Sequence, residues 1–355
     1  MVEAYQQRVR VEKRWGIAKA LGLNFLLVLY FLGGLAYLAG GSPFGLAFGP
    51  LMGILLPLSL ALGAAWTRSR ASAGRVLIES TNKVLKQAYP PLPARWLRTP
   101  SGAFTLLVLA LTLVLGWRIT DIDLNKLFGS KGMAGARRIF SDLVDPVLDA
   151  EFLGLVLEEM VVTIYIALVA TLIAVPIAFC VSFPMARNLM KGNRAALFVY
   201  SALRLLFNFT RSVEPIIWAV IFVAWVSIGP FTGMLALMVH SVASLAKLYS
   251  EQVESVENGP IEAIEATGAG KVQMVWYAVV PQIVLPYLSF TIYRWDINVR
   301  MATIIGLVGG GGIGGLLVQY YGQSRWREVG TMVLVIAVVV WIMDYASAKL
   351  REAIA

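Results

Sequence analysis

Cysteine, histidine and charge are all scarce in this sequence. A single cysteine, Cys180, rules out an internal disulfide and leaves the redox compartment unreadable. A single histidine, His240, is too few for a His-based metal centre. Charged residues make up 14% of the 355 positions, against roughly 25% in soluble domains. No Gly-x-x-x-x-Gly-Lys-Ser/Thr segment occurs, so the chain carries no Walker-type phosphate loop. The alternating apolar–polar pattern of a membrane barrel is absent too. What fills the sequence is apolar: 58% hydrophobic residues and a mean hydropathy of +0.73. Together these features exclude a soluble enzyme, a disordered hub and a disulfide-stapled secreted domain. Several runs reach the roughly 20 apolar residues of a bilayer-crossing helix, so the chain reads as an all-α polytopic membrane protein.

About eight spans are expected, at 17–40, 45–66, 102–118, 155–183, 205–228, 231–249, 284–306 and 331–348. The first follows Arg8, Arg10, Lys13, Arg14 and Lys19. Its long apolar run lacks a small-x-small cleavage signal and leads at once into a second span, so it reads as a retained anchor. Lys and Arg orient the whole. Segment 67–101 holds Arg68, Arg70, Arg75, Lys83, Lys86, Arg95 and Arg98 against one acid, Glu79, and includes Pro90, Pro91 and Pro93. Segment 184–204 holds Arg187, Lys191, Arg194 and Arg204 with no acid. These loops and both termini are expected in the cytoplasm of a multi-pass cell-membrane protein. The mixed-charge segment 119–154 is then expected outside. On this reading the net charge of +9 reports topology and lipid contact and implies no nucleic-acid partner. Three parts follow: a three-span module over 1–118, an extracytoplasmic segment over 119–154, and a five-span module over 155–355.

The loop 250–282 breaks the rule. It is cytoplasmic by count, yet carries Glu251, Glu254, Glu257, Glu262 and Glu265 against Lys271. Pro260 suits the first position of a helix, with Asn258 or Gly259 as cap. Ile261 and Ile264 share one face, and Glu262 and Glu265 the other. Gly268 ends that helix or permits a close approach. A second helix is expected to present Val272, Val275, Trp276 and Val279 on one face and to stop at Pro281. An acidic surface of this kind suits a basic protein partner. The alternative is an amphipathic linker lying on the membrane, with Glu262 merely completing a capping box.

The same residues resemble a known signature. Glu262-Ala263-Ile264, then Gly268, then Ala278 and Val280-Pro281, is similar to the Glu-Ala-Ala motif of the membrane subunits of ABC importers. Ile264, Ala278 and Val280 depart from the family's Ala, Ile and Leu. The resemblance covers roughly 155–350 and implies the MetI-like five-helix core of a type I importer. Arg211-Ser212-Val213-Glu214-Pro215 with Trp218 and Gly229-Pro230-Phe231, and the run from Tyr293 to Arg300 leading into the glycines after Gly306, resemble its phosphonate branch. Phosphite and hypophosphite importers have similar subunits. The resemblance implies that Glu262, Ala263, Glu265, Gly268 and Pro281 couple to a separate dimeric ABC ATPase. It further implies an extracytoplasmic binding protein, a second copy of the chain, and no cofactor here, ATP and Mg belonging to the ATPase.

Gly309, Gly311, Gly312 and Gly314 fall at the outer end of a core helix. A hinge or outer gate and plain tight packing both fit this run. Asp296 and Arg300 are spaced i,i+4, which favours an ion pair; Arg300 or Arg294 beside the pathway would instead attract a passing phosphonate. Glu214 beside Pro215 marks a helix break. An autonomous transporter would need intramembrane carboxylates, and Asp296 is the one clear candidate. A membrane enzyme would need a base or metal constellation that one histidine does not supply.

Overall fold

Alanines set the central packing. Ala167, Ala170, Ala174 and Ala178 fall at helical spacing along one side of a long apolar run, and all four are fully buried. Opposite them stand Ala236, Ala243 and Ala246, also fully buried. Lipid offers no hydrophobic drive for helices to associate, so small side chains that let backbones approach supply the contact energy. In this computed structural model, which describes residues 2–38, 48–69, 72–82, 99–190 and 194–354, helices are the only regular elements. Contacts divide the chain into two units, Met1–Gly129 and Ser130–Ala355.

The first unit contains α1 (Val2–Leu38), α2 (Phe48–Thr67), α3 (Ala73–Thr81), α4 (Pro100–Ile119) and the short α5 (Leu124–Phe128). Polar side chains join its helices. Buried Asn24 donates to Thr67 Oγ1 at 2.9 Å and accepts from the Gly74 N–H at 2.8 Å. Trp66 Nε1 donates to Ser101 Oγ at 2.9 Å. Most of the basic loop at 67–101 lies outside the described residues, including Arg70, Lys83, Lys86, Arg95 and the three prolines; so does Lys191.

The second unit contains α6 (Ser130–Val144), α7 (Ala150–Ser182), α8 (Arg194–Ser212), α9 (Pro215–Val226), α10 (Pro230–Glu254), α11 (Asn258–Ala266), α12 (Lys271–Met274), α13 (Val280–Gly306), α14 (Ile313–Gly322) and α15 (Trp326–Ile354). A five-residue π-helical turn, Val275–Val279, joins α12 to α13. Two apolar clusters stack along α7. One gathers Val156, Met160, Leu237, Ile305, Ile313 and Met332. The other gathers Met185, Leu245, Tyr249, Val253, Ile283 and Tyr287. Tyr249 and Tyr287 stack with ring centroids 3.7 Å apart, and Tyr287 is hydrogen-bonded to Ser182 at 2.9 Å.

Six described helices are long and apolar enough to cross a bilayer. The expected span at 205–228 is instead a pair, α8 and α9, bent by 88°. Pro215 lacks an N–H and disfavours the helical conformation before it, and Glu214 there is extended, with ψ 146°. The expected span at 45–66 survives as the shorter apolar helix Met52–Thr67. The segment 119–154 is itself helical: α6 packs on α15, the Gly330 backbone lies against the Leu143 carbonyl, and Thr331 Oγ1 donates to Val147 O at 2.9 Å.

Candidate functional site

Two places in the second unit gather the residues singled out by sequence. The first is the acidic loop. Glu257 is the N-cap of α11, one to two residues earlier than the expected Asn258 or Gly259, and its N–H donates to Gln282 Oε1 at 3.0 Å, tying the loop to the foot of α13. Ile261 packs into the lower apolar cluster. Glu262, Ala263 and Glu265 are exposed, and neither glutamate has an ion-pair partner among the described residues. The five glutamates do not act alike, however. Glu251 pairs with Lys247 at 3.6 Å. Glu254 accepts from Arg204 Nη2 and from the Arg187 N–H, both at 2.7 Å. Glu257, Glu262 and Glu265 remain open toward solvent.

Gly268 ends α11 in the left-handed region, at φ +80°, with its N–H on Glu265 O at 2.9 Å. Glycine takes this conformation without the Cβ penalty. Beyond it the expectation fails. Pro281 does not stop the second helix, which runs through into α13, giving one apolar helical stretch over Lys271–Gly306. The π turn is the reason. It reaches back five residues, with Val280 N–H on Val275 O, and so widens the helix ahead of the missing proline N–H. The extra residue also rotates the register. Val279 is fully buried, while Val272 and Trp276 are 82% and 59% exposed, so the four expected apolar residues do not share a face.

The second place is the middle of the unit. Arg294 of α13 is buried and donates to Ser241 Oγ at 3.3 Å, Ser244 Oγ at 2.9 Å and His240 O at 3.3 Å, all on α10. Asn298, one turn on, donates to Ser241 Oγ at 2.8 Å and Thr171 Oγ1 at 2.9 Å, binding α13 to α10 and α7. Burying an arginine costs several kcal/mol unless its donors are met, and here neutral oxygens meet those of Nε and Nη2. Asp296 and Arg300 form the expected pair at 2.6 Å. Asp344 of α15, which sequence inspection missed although it is a lone charge in an apolar run, lies 3.1 Å from the same guanidinium. Asn298 and Ser241 were missed as well, because uncharged polar residues leave no signal in a hydropathy reading.

The glycine run closes the top of this centre. Gly309 O accepts from the Gly229 N–H at 2.9 Å, and Ile313 N–H donates to Thr163 Oγ1 at 2.9 Å. A Cβ on Gly306 would lie 2.7 Å from Gly314 Cα and from Gly311 O; one on Gly314 would strike Thr303 O, and one on Gly312, at φ +69°, would strike Thr163 Oγ1. Gly309, Gly311, Gly312 and Gly314 thus sit in a packed joint between α7, α10, α13 and α14. Asp296 and Arg300 lie below it, on the side of α13 that faces α15.

The chain is similar to known proteins. Residues 189–352 match the family described as binding-protein-dependent transport system inner membrane component. HtxC of Stutzerimonas stutzeri, named for phosphite transport, is 31% identical over 250 residues, covering 70% of this chain and 85% of that protein. The phosphite transport system permease protein PtxC of the same species is 36% identical over 196 residues, covering 55% and 70%. The phosphate-import permease protein PhnE of Mycolicibacterium smegmatis is 34% identical over 215 residues, covering 60% and 39%. In fold, the chain is similar to a subunit of the inward-facing MetNI methionine ABC transporter, with a TM-score of 0.52 at 20% identity over 59% of this chain and all of that one. With its multi-span helical core and no nucleotide motif of its own, this chain belongs to the family of inner-membrane permeases of binding-protein-dependent ABC importers.

Proposed function

We propose that the chain, as a homodimer, forms the translocation pathway of an ATP-driven importer for phosphonates. ATP is hydrolysed by a separate dimeric ATPase, and an extracytoplasmic binding protein delivers the solute. The observation that carries this reading is α11: a short helix anchored inward by Ile261, with Glu262 and Glu265 unpaired on its outer face. An acidic helix projecting from the foot of the core suits a basic groove on an ATPase, and Gly268 supplies the bend. The glycine joint serves as an outer hinge, with Asp296 and Arg300 below it. The loop and both termini are cytoplasmic. Phosphite is the second reading for the solute, favoured by the names of HtxC and PtxC.

The purified chain is expected to carry a soluble ATPase with it. In proteoliposomes containing ATPase and binding protein, Glu262→Lys should abolish ATP-dependent uptake while the permease remains folded and inserted, and Gly268→Leu should uncouple hydrolysis from uptake. Normal transport by Glu262→Lys with an unaltered ATPase defeats the coupling assignment. A thermal-shift screen of the binding protein against methylphosphonate, phosphite and phosphate would identify the solute by the largest stabilisation.

A further inference from the structure

The α8–α9 break, His240 and Arg294 lie at one level of the second unit. His240 Nδ1 is hydrogen-bonded to Val213 O, inside the break, at 3.1 Å, and Arg294 Nη2 donates to His240 O at 3.3 Å. That level is deep in the apolar belt, because one turn along α13 Asn298 reaches Thr171, near the middle of the apolar stretch of α7. Non-helical backbone at such a depth persists only where protein buries it or a water-filled cavity solvates it. Here Arg211 and Glu214 are exposed at the break. Arginine and glutamate exposed at such a depth face water rather than lipid, so the break borders an aqueous space.

Arg294 stands next to that space with unspent capacity. Among the described residues it has no carboxylate within ion-pair distance. Its three hydrogen bonds leave from Nε and Nη2, and Nη1 has no partner among the described residues. The Ser244 hydroxyl accepts from Arg294 and has no acceptor for its own proton among the described residues. Arg211 and Glu214 flank Val213, whose carbonyl is bonded to the same His240 whose own carbonyl accepts from Arg294. The local balance is therefore two cations against one anion. Glu214 is the N-cap of α9 and makes no side-chain hydrogen bond to it.

We infer that Arg294, with the Ser244 hydroxyl and with Arg211 across the break, forms a mid-membrane relay site for a small tetrahedral oxyanion of the phosphonate or phosphite class. An oxyanion takes the free Nη1 edge through charge-assisted hydrogen bonds. Glu214 acts as the internal counter-anion, occupying the positive field when the site is empty and repelling the passing solute, so that the anion pauses without being trapped. This inference rests on the importer reading above for its solute, but not for its location.

The test uses the reconstituted complex of permease, ATPase and binding protein. Arg294→Gln should keep binding-protein-stimulated ATP hydrolysis while uptake of methylphosphonate and phosphite falls at least about tenfold, the worth of one charge-assisted hydrogen bond. Glu214→Gln should lower the KM for uptake by strengthening the positive field. Because Arg294→Gln could misfold, the unaltered complex provides an independent arm. Phenylglyoxal should modify Arg294, read by peptide mass spectrometry, and methylphosphonate should protect it where chloride at equal ionic strength does not. Undiminished uptake by Arg294→Gln overturns the site, as does an Arg294 that is never modified or never protected. If the unaltered complex moves no phosphorus oxyanion, the proposed solute class falls, and the protection arm still decides whether Arg294 binds one.

Discussion

Gly314 has no room for a single methyl group, since its Cβ would meet the Thr303 carbonyl and the backbone of Gly306. Inserting atoms into a tight backbone joint forces helices apart, at roughly 1–3 kcal/mol or more. Gly314→Val should therefore lower the thermal midpoint of the purified permease by several degrees, whereas Gly322→Ala, where a Cβ meets nothing within 4 Å, should leave it unchanged. Equal midpoints would show that the joint yields easily and that packing is not what these glycines secure. At this scale the sequence was uneven to read. The glycine run was conspicuous, but its contacts with Thr163 and Gly233 depend on helices far away in the chain. The Asp296–Arg300 pair followed from spacing alone. Asp344, the third member, could not, because nothing local states that α13 and α15 are neighbours.

At the scale of elements, the bend at Gly268 was legible because left-handed backbone selects glycine, and the break at Glu214-Pro215 because proline constrains the residue before it. The π turn was not, since an extra residue in a helix has no sequence signature of its own; it arose where Pro281 would otherwise have ended the helix. That turn lies between α13 and the α11–α12 loop that precedes it. Deleting Tyr277, an exposed residue within it, removes the surplus and should restore α-helical register, turning α11 by about 100°, the angle per residue of an α-helix. Glu262 and Glu265 would then face away from their partner. Assembly with the ATPase should weaken while membrane insertion persists, which co-purification and a protease-protection assay would record together. Retained assembly would mean that the loop seeks its partner flexibly, with no fixed presentation from the span.

Across the whole molecule, charge and packing converge on one orientation. In the second unit, one end is built from Arg187, Arg204, Glu254 and α11, locked by Arg204 and the Arg187 N–H on Glu254. The opposite end carries α6, the start of α7 and the start of α15, joined by Arg327 to Asp145 at 2.9 Å and by Thr331 to Val147. The two ends must face opposite sides of a bilayer, because α7 and α13 run antiparallel between them, with Ser182 beside Tyr287 at one end and Thr163 beside Ile313 toward the other. The proposed reading puts the first end in the cytoplasm, which the positive-inside rule supports, since 184–204 is basic and 119–154 is mixed. The lone cysteine makes the test direct: Cys180→Ser yields a cysteine-free chain in which reporters are placed at will. Glu265→Cys should react with a membrane-impermeant maleimide only in inside-out vesicles, and Lys131→Cys only in right-side-out vesicles or intact cells. Labelling of both from one side would contradict the antiparallel core. Labelling of both from reversed sides would turn α11 outward, where no nucleotide-hydrolysing subunit could reach it, and the importer reading would fall with it.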